Sequence, residues 1–587
     1  MTIDILDLPV EIQFIIGTYL DIRSLLSCIR VCQHFRKTYI SHVWRDIIFR
    51  GPPRIQHQSL QENAALVETL VLHRYIPKKF CFIKFCRLKT LRLVDLSKCV
   101  SEATSASCVD LPVAAAVLAK RNPWILHLEL SYVQTEISEK FWTIVATEWR
   151  DPISLSVRCR QAPKGTEAEE DDKSKQNPIE AFWSACARFK ELTLDLPSSM
   201  MERDKTSLKF TTLKNLKKLT LARAGQLSDL DELRGNINTS DHRQRSAKVE
   251  LAMIQTCPNL EYLCWDRSAT SFFSGAGFME ALRRQVWANL SSLLLRRMAI
   301  KDEAMADILS LVSKRLIELD LRESSGFGSL SFNVLSERHF VSLKRLCMLG
   351  CNRFTGEMAL SALKACSHLE SMAADYIYME DIAEHKDVVT GNPEPWACYQ
   401  TLRELQVFVA RRQHQAKPLE PEPKRVELIS RGQTLKQLNI QVFRQLSTLN
   451  RLKSLTLSMD IFDLQLLPSE VFKAVNEGAS LDLRLSSGLD WLANLELLEH
   501  FGFERTRQEL GPKELHWMKM HWRQLKTVNG QLSHDQEQHK SLASILKAAG
   551  VSCSEADNNN SSYMRFIDES HRGGVEDNYS TVSEIEY

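Results

Sequence analysis

One apolar pattern, L-x-x-L-x-L, returns along most of this chain and limits what it can fold into. Clear copies are Leu88-Leu91-Leu93, Ile125-Leu128-Leu130, Leu216-Leu219-Leu221, Leu290-Leu293-Leu295, Leu316-Leu319-Leu321 and Leu452-Leu455-Leu457. Weaker copies are Val67-Leu70-Leu72, Phe189-Leu192-Leu194, Leu260-Leu263-Trp265, Leu343-Leu346-Met348, Leu402-Leu405-Val407 and Leu435-Leu438-Ile440. The L-x-L portion alternates apolar and polar, as on a half-buried strand. With the middle residue as marker, Leu263 to Leu293 is 30 residues, Leu293 to Leu319 is 26, Leu319 to Leu346 is 27 and Leu346 to Met372 is 26. Between copies lie helix-like stretches. In 302–313 Met305, Ile308, Leu309 and Val312 form an apolar stripe, as do Leu360, Leu363 and Cys366 in 357–366. A chain of 587 residues exceeds what one hydrophobic core supports. Strand then helix at near-constant period resolves this, because each repeat buries its apolar face on the next. The fold class expected is α/β, a solenoid with one parallel strand per turn, the strands lining its concave face.

The period breaks in places. Leu128 to Leu192 is 64 residues with only a marginal copy near Leu155, Leu219 to Leu263 is 44, and Leu438 to Leu455 is 17, too short for a strand-helix repeat. Two stretches read as loop insertions in the solenoid. One is 161–178, with Glu167, Glu169, Glu170, Asp171 and Asp172 and no apolar period; an acidic docking strip for a basic partner is the alternative reading. The other is 411–425, with Pro418, Pro421 and Pro423 among charges. The solenoid is expected over 51–530, with Leu515, Met518, Trp522 and Leu525 on one face of a terminal capping helix. A helical segment follows at 531–551, then a disordered, Asn-, Ser- and acid-rich tail at 552–587.

Lys plus Arg is 75 and Asp plus Glu 73, a balance that points to neither nucleic acid nor an acidic membrane surface. Asp4, Asp7 and Pro9 argue against a secretory signal, and no apolar run approaches the roughly 20 residues a bilayer crossing needs. The fifteen cysteines have no disulfide-like cadence and read as small apolar core residues. The compartment expected is therefore reducing, cytoplasmic and/or nuclear. No phosphate loop, dinucleotide fingerprint, nucleophile elbow or paired C-x-x-C is present, and His516 and His521 are five apart, off one helix face. No motif argues for catalysis, a metal or a cofactor; a lone cysteine nucleophile is the residual enzymatic reading.

Residues 8–49 are dense in large apolar side chains. Pro9 suits the first position of a helix, with Glu11 in its first turn and Ile12, Ile15, Ile16, Tyr19 and Leu20 on one stripe. Asp21 can cap a second helix carrying Leu25, Leu26 and Ile29. A third follows Val31-Cys32, with Phe35, Tyr39 and Ile40, and Trp44, Ile47, Ile48 and Phe49 extend the surface before Pro52-Pro53. So short a piece makes a poor core of its own, so some of these residues should meet another chain or the next domain.

In order and type, Leu8-Pro9-Val10-Glu11-Ile12, Asp21-Ile22-Arg23-Ser24-Leu25-Leu26, Val31-Cys32, Phe35 and Trp44 resemble an F-box, here 1–50. The family often carries Trp where this chain has Phe35. The repeats are similar to the degenerate leucine-rich repeats of fungal-type F-box proteins; Cys257, Cys347, Cys351 and Cys366 lie near positions where such repeats carry Cys. The resemblance implies a small all-α adaptor-binding hook ahead of the solenoid. Its adaptor-facing residues would be Leu8, Pro9, Ile12, Ile16, Leu20, Leu25, Leu26, Val31 and Cys32. It further implies a non-catalytic substrate-recognition subunit of a ubiquitin ligase, with a Skp-type adaptor, a cullin through it, and an unidentified protein target as partners. A binding scaffold that directs no ubiquitylation is the alternative. Residues between the leucines of L-x-L, or next after them, are the candidate target-facing positions: Glu129, Thr220, Arg296, Asp320, Arg322, Gln406 and Asn439, with Arg296, Asp320 and Arg322 the favoured cluster.

Overall fold

The structure, a computed structural model, describes residues 5–49, 57–73, 78–94, 111–133, 139–159, 178–194, 212–221, 251–266, 288–385, 392–412, 435–458 and 480–554, apart from single positions within these ranges, together with 137 and 471. The described residues fall into two compact units that divide near Trp265.

The first unit opens with three helices, α1 (Val10–Thr18), α2 (Ile22–Val31) and α3 (Gln33–Arg45). Helix α1 begins one residue later than Pro9 alone suggested, with Pro9 as its N-cap. Asp21 caps α2 by accepting from the Ser24 N–H at 2.7 Å, which holds its carboxyl below the ordinary range. Cys32 does the same for α3 through sulfur, accepting from the Phe35 N–H at 3.4 Å. Strand β1 (Asp46–Phe49) follows α3 directly and pairs in parallel with β2 (Thr69–His73). Parallel strands then succeed one another: β3 (Thr90–Val94), β4 (His127–Val133), β5 (Ser154–Cys159), β6 (Glu191–Leu194), β7 (Lys218–Leu221) and β8 (Tyr262–Asp266). Their register aligns Leu70, Leu91, Leu128, Leu155, Leu192, Leu219 and Leu263 in one buried row. Each such leucine removes about 1.5–3 kcal/mol worth of apolar surface from water. Helices α4 (His57–Glu62), α5 (Leu111–Arg121), α6 (Glu139–Thr147) and α7 (Pro178–Cys186) lie between strands. Arg188 ends α6 by donating to the Val145 and Ala146 carbonyls, both at 2.8 Å.

The second unit repeats the plan with β9 (Ser292–Arg296), β10 (Glu318–Asp320), β11 (Arg345–Cys347), β12 (Ser371–Tyr378), β13 (Glu404–Ala410), β14 (Ser454–Thr456), β15 (His500–Gly502), β16 (Thr527–Asn529) and β17 (Ser552–Ser554), each paired in parallel with the next. The buried row is Leu293, Leu319, Leu346, Met372, Leu405, Leu455, Phe501 and Val528. Helices α8 (Asp302–Leu311), α9 (Ser329–Arg338), α10 (Gly356–Ala365), α11 (Met379–Glu384), α12 (Leu435–Leu446), α13 (Pro512–His521) and α14 (Gln536–Ala548) intervene. Three residues after the last apolar position of L-x-x-L-x-L stand Ser324 and Cys351. Ser324 Oγ donates to the Leu295 carbonyl and Cys351 Sγ to the Leu321 carbonyl, each at 2.7 Å, tying each turn to the one before.

Two expectations are corrected. The copy Leu435-Leu438-Ile440 is no strand but part of α12, whose buried Leu438, Val442 and Leu446 follow a four-residue step. This explains the 17-residue interval to Leu455. Residues 552–554, placed in the tail, form β17, because their backbone extends the ladder from β16. The acidic run within 161–178, the prolines of 411–425 and residues 555–587 lie outside the described residues. Among the described residues no helix is long and apolar enough to cross a membrane.

Candidate protein-interaction surfaces

Helix α1 is built inside out. Its buried positions are Gln13 and Gly17, one turn apart, whereas Val10, Ile12, Phe14 and Ile15 are 43–53% exposed and Tyr19, just beyond, 84%. The sequence allows this because the inward face carries one side chain with hydrogen bonds to give and one with no bulk. Gln13 Nε2 donates to the Leu8 carbonyl at 2.8 Å, and its Oε1 lies 2.8 Å from His34 Nε2. A Cβ on Gly17 would stand 2.8 Å from the His42 ring and 2.9 Å from Tyr39, both on α3. Small and polar residues therefore seat α1, and its apolar face is left to solvent. Ile5, Leu6 and Val31 (71% exposed) add to that apolar surface on the hook. Burial holds the His42 imidazole below its ordinary pKa, so it remains neutral against the Phe14 ring, 4.1 Å away.

Of the residues that the F-box resemblance singles out, Pro9, Ile12 and Val31 are exposed, and Leu8, Ile16, Leu20, Leu26 and Cys32 are half-buried. Leu25 is 5% exposed and belongs to the hook's interior, since α2 turns it inward. Val10 and Phe14, also exposed, lie outside the apolar stripe of the sequence, whereas Ile15 belongs to it.

The strand faces differ between the units. In the first, the outward row in register is Arg92, Glu129, Ser156 and Thr193, all half-buried. Arg92 Nε reaches Glu129 Oε2 at 2.7 Å, and Ser131 Oγ donates to Glu129 Oε1 at 2.9 Å. Thr220, next in register, is 7% exposed. In the second unit the same row runs Leu294, Asp320, Cys347, Ala373 and Gln406, between 1% and 7% exposed. Asn439 is also buried, on α12 and not on a strand.

The favoured cluster of Arg296, Asp320 and Arg322 is brought together, but inside. Their exposures are 5%, 3% and 3%. Asp320 Oδ2 receives Arg296 Nη2 at 2.7 Å and Arg322 Nη2 at 3.1 Å, and Arg322 Nε donates to Cys347 Sγ at 3.1 Å. Burial pushes the Cys347 thiol up to about 12, so the sulfur keeps its proton. The expectation that these side chains stand out toward a target is corrected: both guanidinium groups fold onto one carboxylate instead. Among the described residues no group of three His, Cys, Asp or Glu side chains could hold a metal ion.

Comparison with known proteins adds the following. An F-box-like family model matches residues 5–50. No curated protein sequence matches the chain. Among solved structures, a leucine-rich-repeat protein of Leptospira interrogans is 13% identical with a TM-score of 0.32, over 86% of this chain and 100% of that one. An internalin of Listeria monocytogenes is 10% identical with a TM-score of 0.24, over 85% of this chain and 89% of that one. The leucine-rich-repeat ectodomain of the plant receptor kinase GASSHO1/SCHENGEN3 of Arabidopsis thaliana is 11% identical with a TM-score of 0.29, over 84% of this chain and 45% of that one. The repeat assignment rests on the strand register described above. Residues 5–50 of this chain are an F-box-like domain, set ahead of the parallel strands of leucine-rich repeats.

Proposed function

We propose that the chain is a substrate-recognition subunit of a Skp–cullin–F-box ubiquitin ligase. The observation that carries this reading is the outward apolar face of α1, which has no place to be buried within the hook. A Skp-type adaptor would cover Val10, Ile12, Ile15, Tyr19 and Val31, with Leu8, Pro9, Ile16, Leu20, Leu26 and Cys32 at the margin. A protein target would meet the open strand face of β3–β6 around Arg92, Glu129, Ser156 and Thr193. Mechanism is then proximity. The subunit raises the effective concentration of a target lysine near a charged ubiquitin-conjugating enzyme and donates no acid, base or nucleophile.

The test is co-purification with a Skp-type adaptor, wild type beside Ile12→Asp/Ile15→Asp. Both substitutions are on exposed side chains, so the fold is expected to survive and adaptor capture to fall by at least about a hundredfold. Retained capture by the double variant, or none by folded wild type, sinks the proposal. Capture of adaptor and cullin with a target that stays stable would instead favour the scaffold reading.

A further inference from the structure

A second surface, on the first unit, carries exposed aromatic and basic side chains around one buried asparagine. Asn122, fully buried, follows α5 and clamps the chain ahead of β3: its Oδ1 accepts from the Phe85 N–H at 2.5 Å, and its Nδ2 reaches the Ile83 carbonyl at 3.4 Å. The same Nδ2 is tied to its own helix through the Leu118 carbonyl at 2.8 Å. The clamp holds the turn that carries Phe82 and Lys84, on either side of Ile83, to the end of α5, where Arg121 precedes Asn122 and Trp124 stands two residues after it. The Arg121 guanidinium carbon lies 5.1 Å from the centre of the Phe82 ring. Phe82 is 67% exposed and Trp124 60%, high for aromatic side chains on a rigid backbone. Lys84, Arg87 and Arg121 are exposed as well. Nearby Lys89 and Lys120 are each paired with a carboxylate, Glu68 and Glu148. Among the described residues no carboxylate pairs with Lys84, Arg87 or Arg121.

We infer that this surface docks a carboxylate-rich peptide segment of a partner protein that also carries an aromatic side chain. Guanidinium and ammonium groups without carboxylates call for carboxylates, and Arg121 over Phe82 offers the planar fork that receives them in pairs. Trp124 and the free side of Phe82 offer a flat apolar bed. Three cations without a carboxylate partner among the described residues are few for a nucleic acid, whose binding commonly draws on about 6–10 phosphate contacts. This inference does not depend on the hook.

The probe is a short fluorescein-labelled peptide rich in Glu with a central Phe, titrated into the full-length protein by fluorescence polarisation. Saturable binding is expected, weakened about tenfold or more in Lys84→Glu/Arg121→Glu and several-fold in Trp124→Ala. All three positions are exposed, and an unchanged thermal melt would show that the variants remain folded. Absence of binding, or equal binding by the charge-reversed variant, overturns the inference. So does equal competition by a single-stranded oligonucleotide of the same length, which would make the surface a phosphate site. The chain's own run at 167–172 holds five carboxylates; binding that appears only after these are changed to amides would identify that run, and not a partner, as the occupant.

Discussion

Asp320 holds the one carboxylate that Arg296 and Arg322 share in the interior of the second unit. One carboxylate serves two guanidinium groups, all three side chains 4–6% exposed. Removing it leaves two buried cations without their counter-charge, so Asp320→Ala is expected to cost about 3–5 kcal/mol in chemical denaturation. Arg345→Ala nearby, whose side chain is 52% exposed against Glu318, is expected to cost under about 1 kcal/mol. His339 supplies a pH dependence. Its Nδ1 accepts from the Leu316 N–H at 3.1 Å while Nε2 lies 3.0 Å from the Leu309 carbonyl, a pairing that suits the neutral ring with its proton on Nε2. Burial, with Arg338 and Arg315 nearby, holds its pKa below the ordinary value of 6.5. The unfolded chain therefore takes up this proton first. The stability His339 contributes is full above the ordinary histidine range and is lost as pH falls through it toward the depressed value. Melting temperature measured from about pH 7.5 to pH 5 should fall more steeply in wild type than in His339→Gln; parallel slopes would show that the ring does not titrate in this way. Neither residue's role was legible in the sequence. A charged residue between two leucines reads as strand surface, and only the folded chain shows two arginines turning back onto it.

At the scale of elements, α1 and the turns between strands are held by close fit. Gly17→Ala would put a methyl group inside contact distance of the His42 and Tyr39 rings, both buried. Helix α1 is expected to lift from α3 at a cost of about 1–3 kcal/mol, and adaptor capture to weaken without any change to an exposed residue. Asp302, at the start of α8, receives the backbone N–H groups of Gly328, Leu330 and Ser331 at 2.9, 3.1 and 2.9 Å, capping α9 one repeat onward. Asp302→Ala should cost about 1–2 kcal/mol and raise amide exchange first in the opening turn of α9. The strands were readable wherever leucine marked the buried row. They are not readable where the row continues through Phe501 and Val528, because the packing needs only apolar bulk of suitable size and not leucine. The misreading of α12 is the converse case. Leu435, Leu438, Val442 and Leu446 satisfy a helical step and, over their first few residues, the repeat's step as well. In α1 the sequence shows large apolar residues on several sides of the helix but not which side is inside, since that choice is made by Gln13 finding partners and Gly17 finding room.

For the whole molecule, parallel strands joined to neighbours one repeat away make stability a sum of local terms. Leu128→Ala and Leu319→Ala each empty a fully buried site in one unit, and each is expected to cost about 2–5 kcal/mol. Each should shift one transition in denaturant while leaving another in place, as followed by site-specific amide exchange in the two units. A single transition moved equally by both would show that the array unfolds as one body. The outward face of α1 has a bearing on supply. If another chain covers the apolar side of this helix, as proposed, the lone polypeptide is an unfinished product, attractive to chaperones and to its own copies. Synthesised in excess of its adaptor, the chain is expected to accumulate in aggregates or be cleared, and co-expression should raise its soluble yield and lifetime. The Ile12→Asp/Ile15→Asp variant should be more soluble than wild type when expressed alone and gain nothing from the adaptor. The amount of this protein in a cell would then be set by its partner's stoichiometry as much as by its own gene.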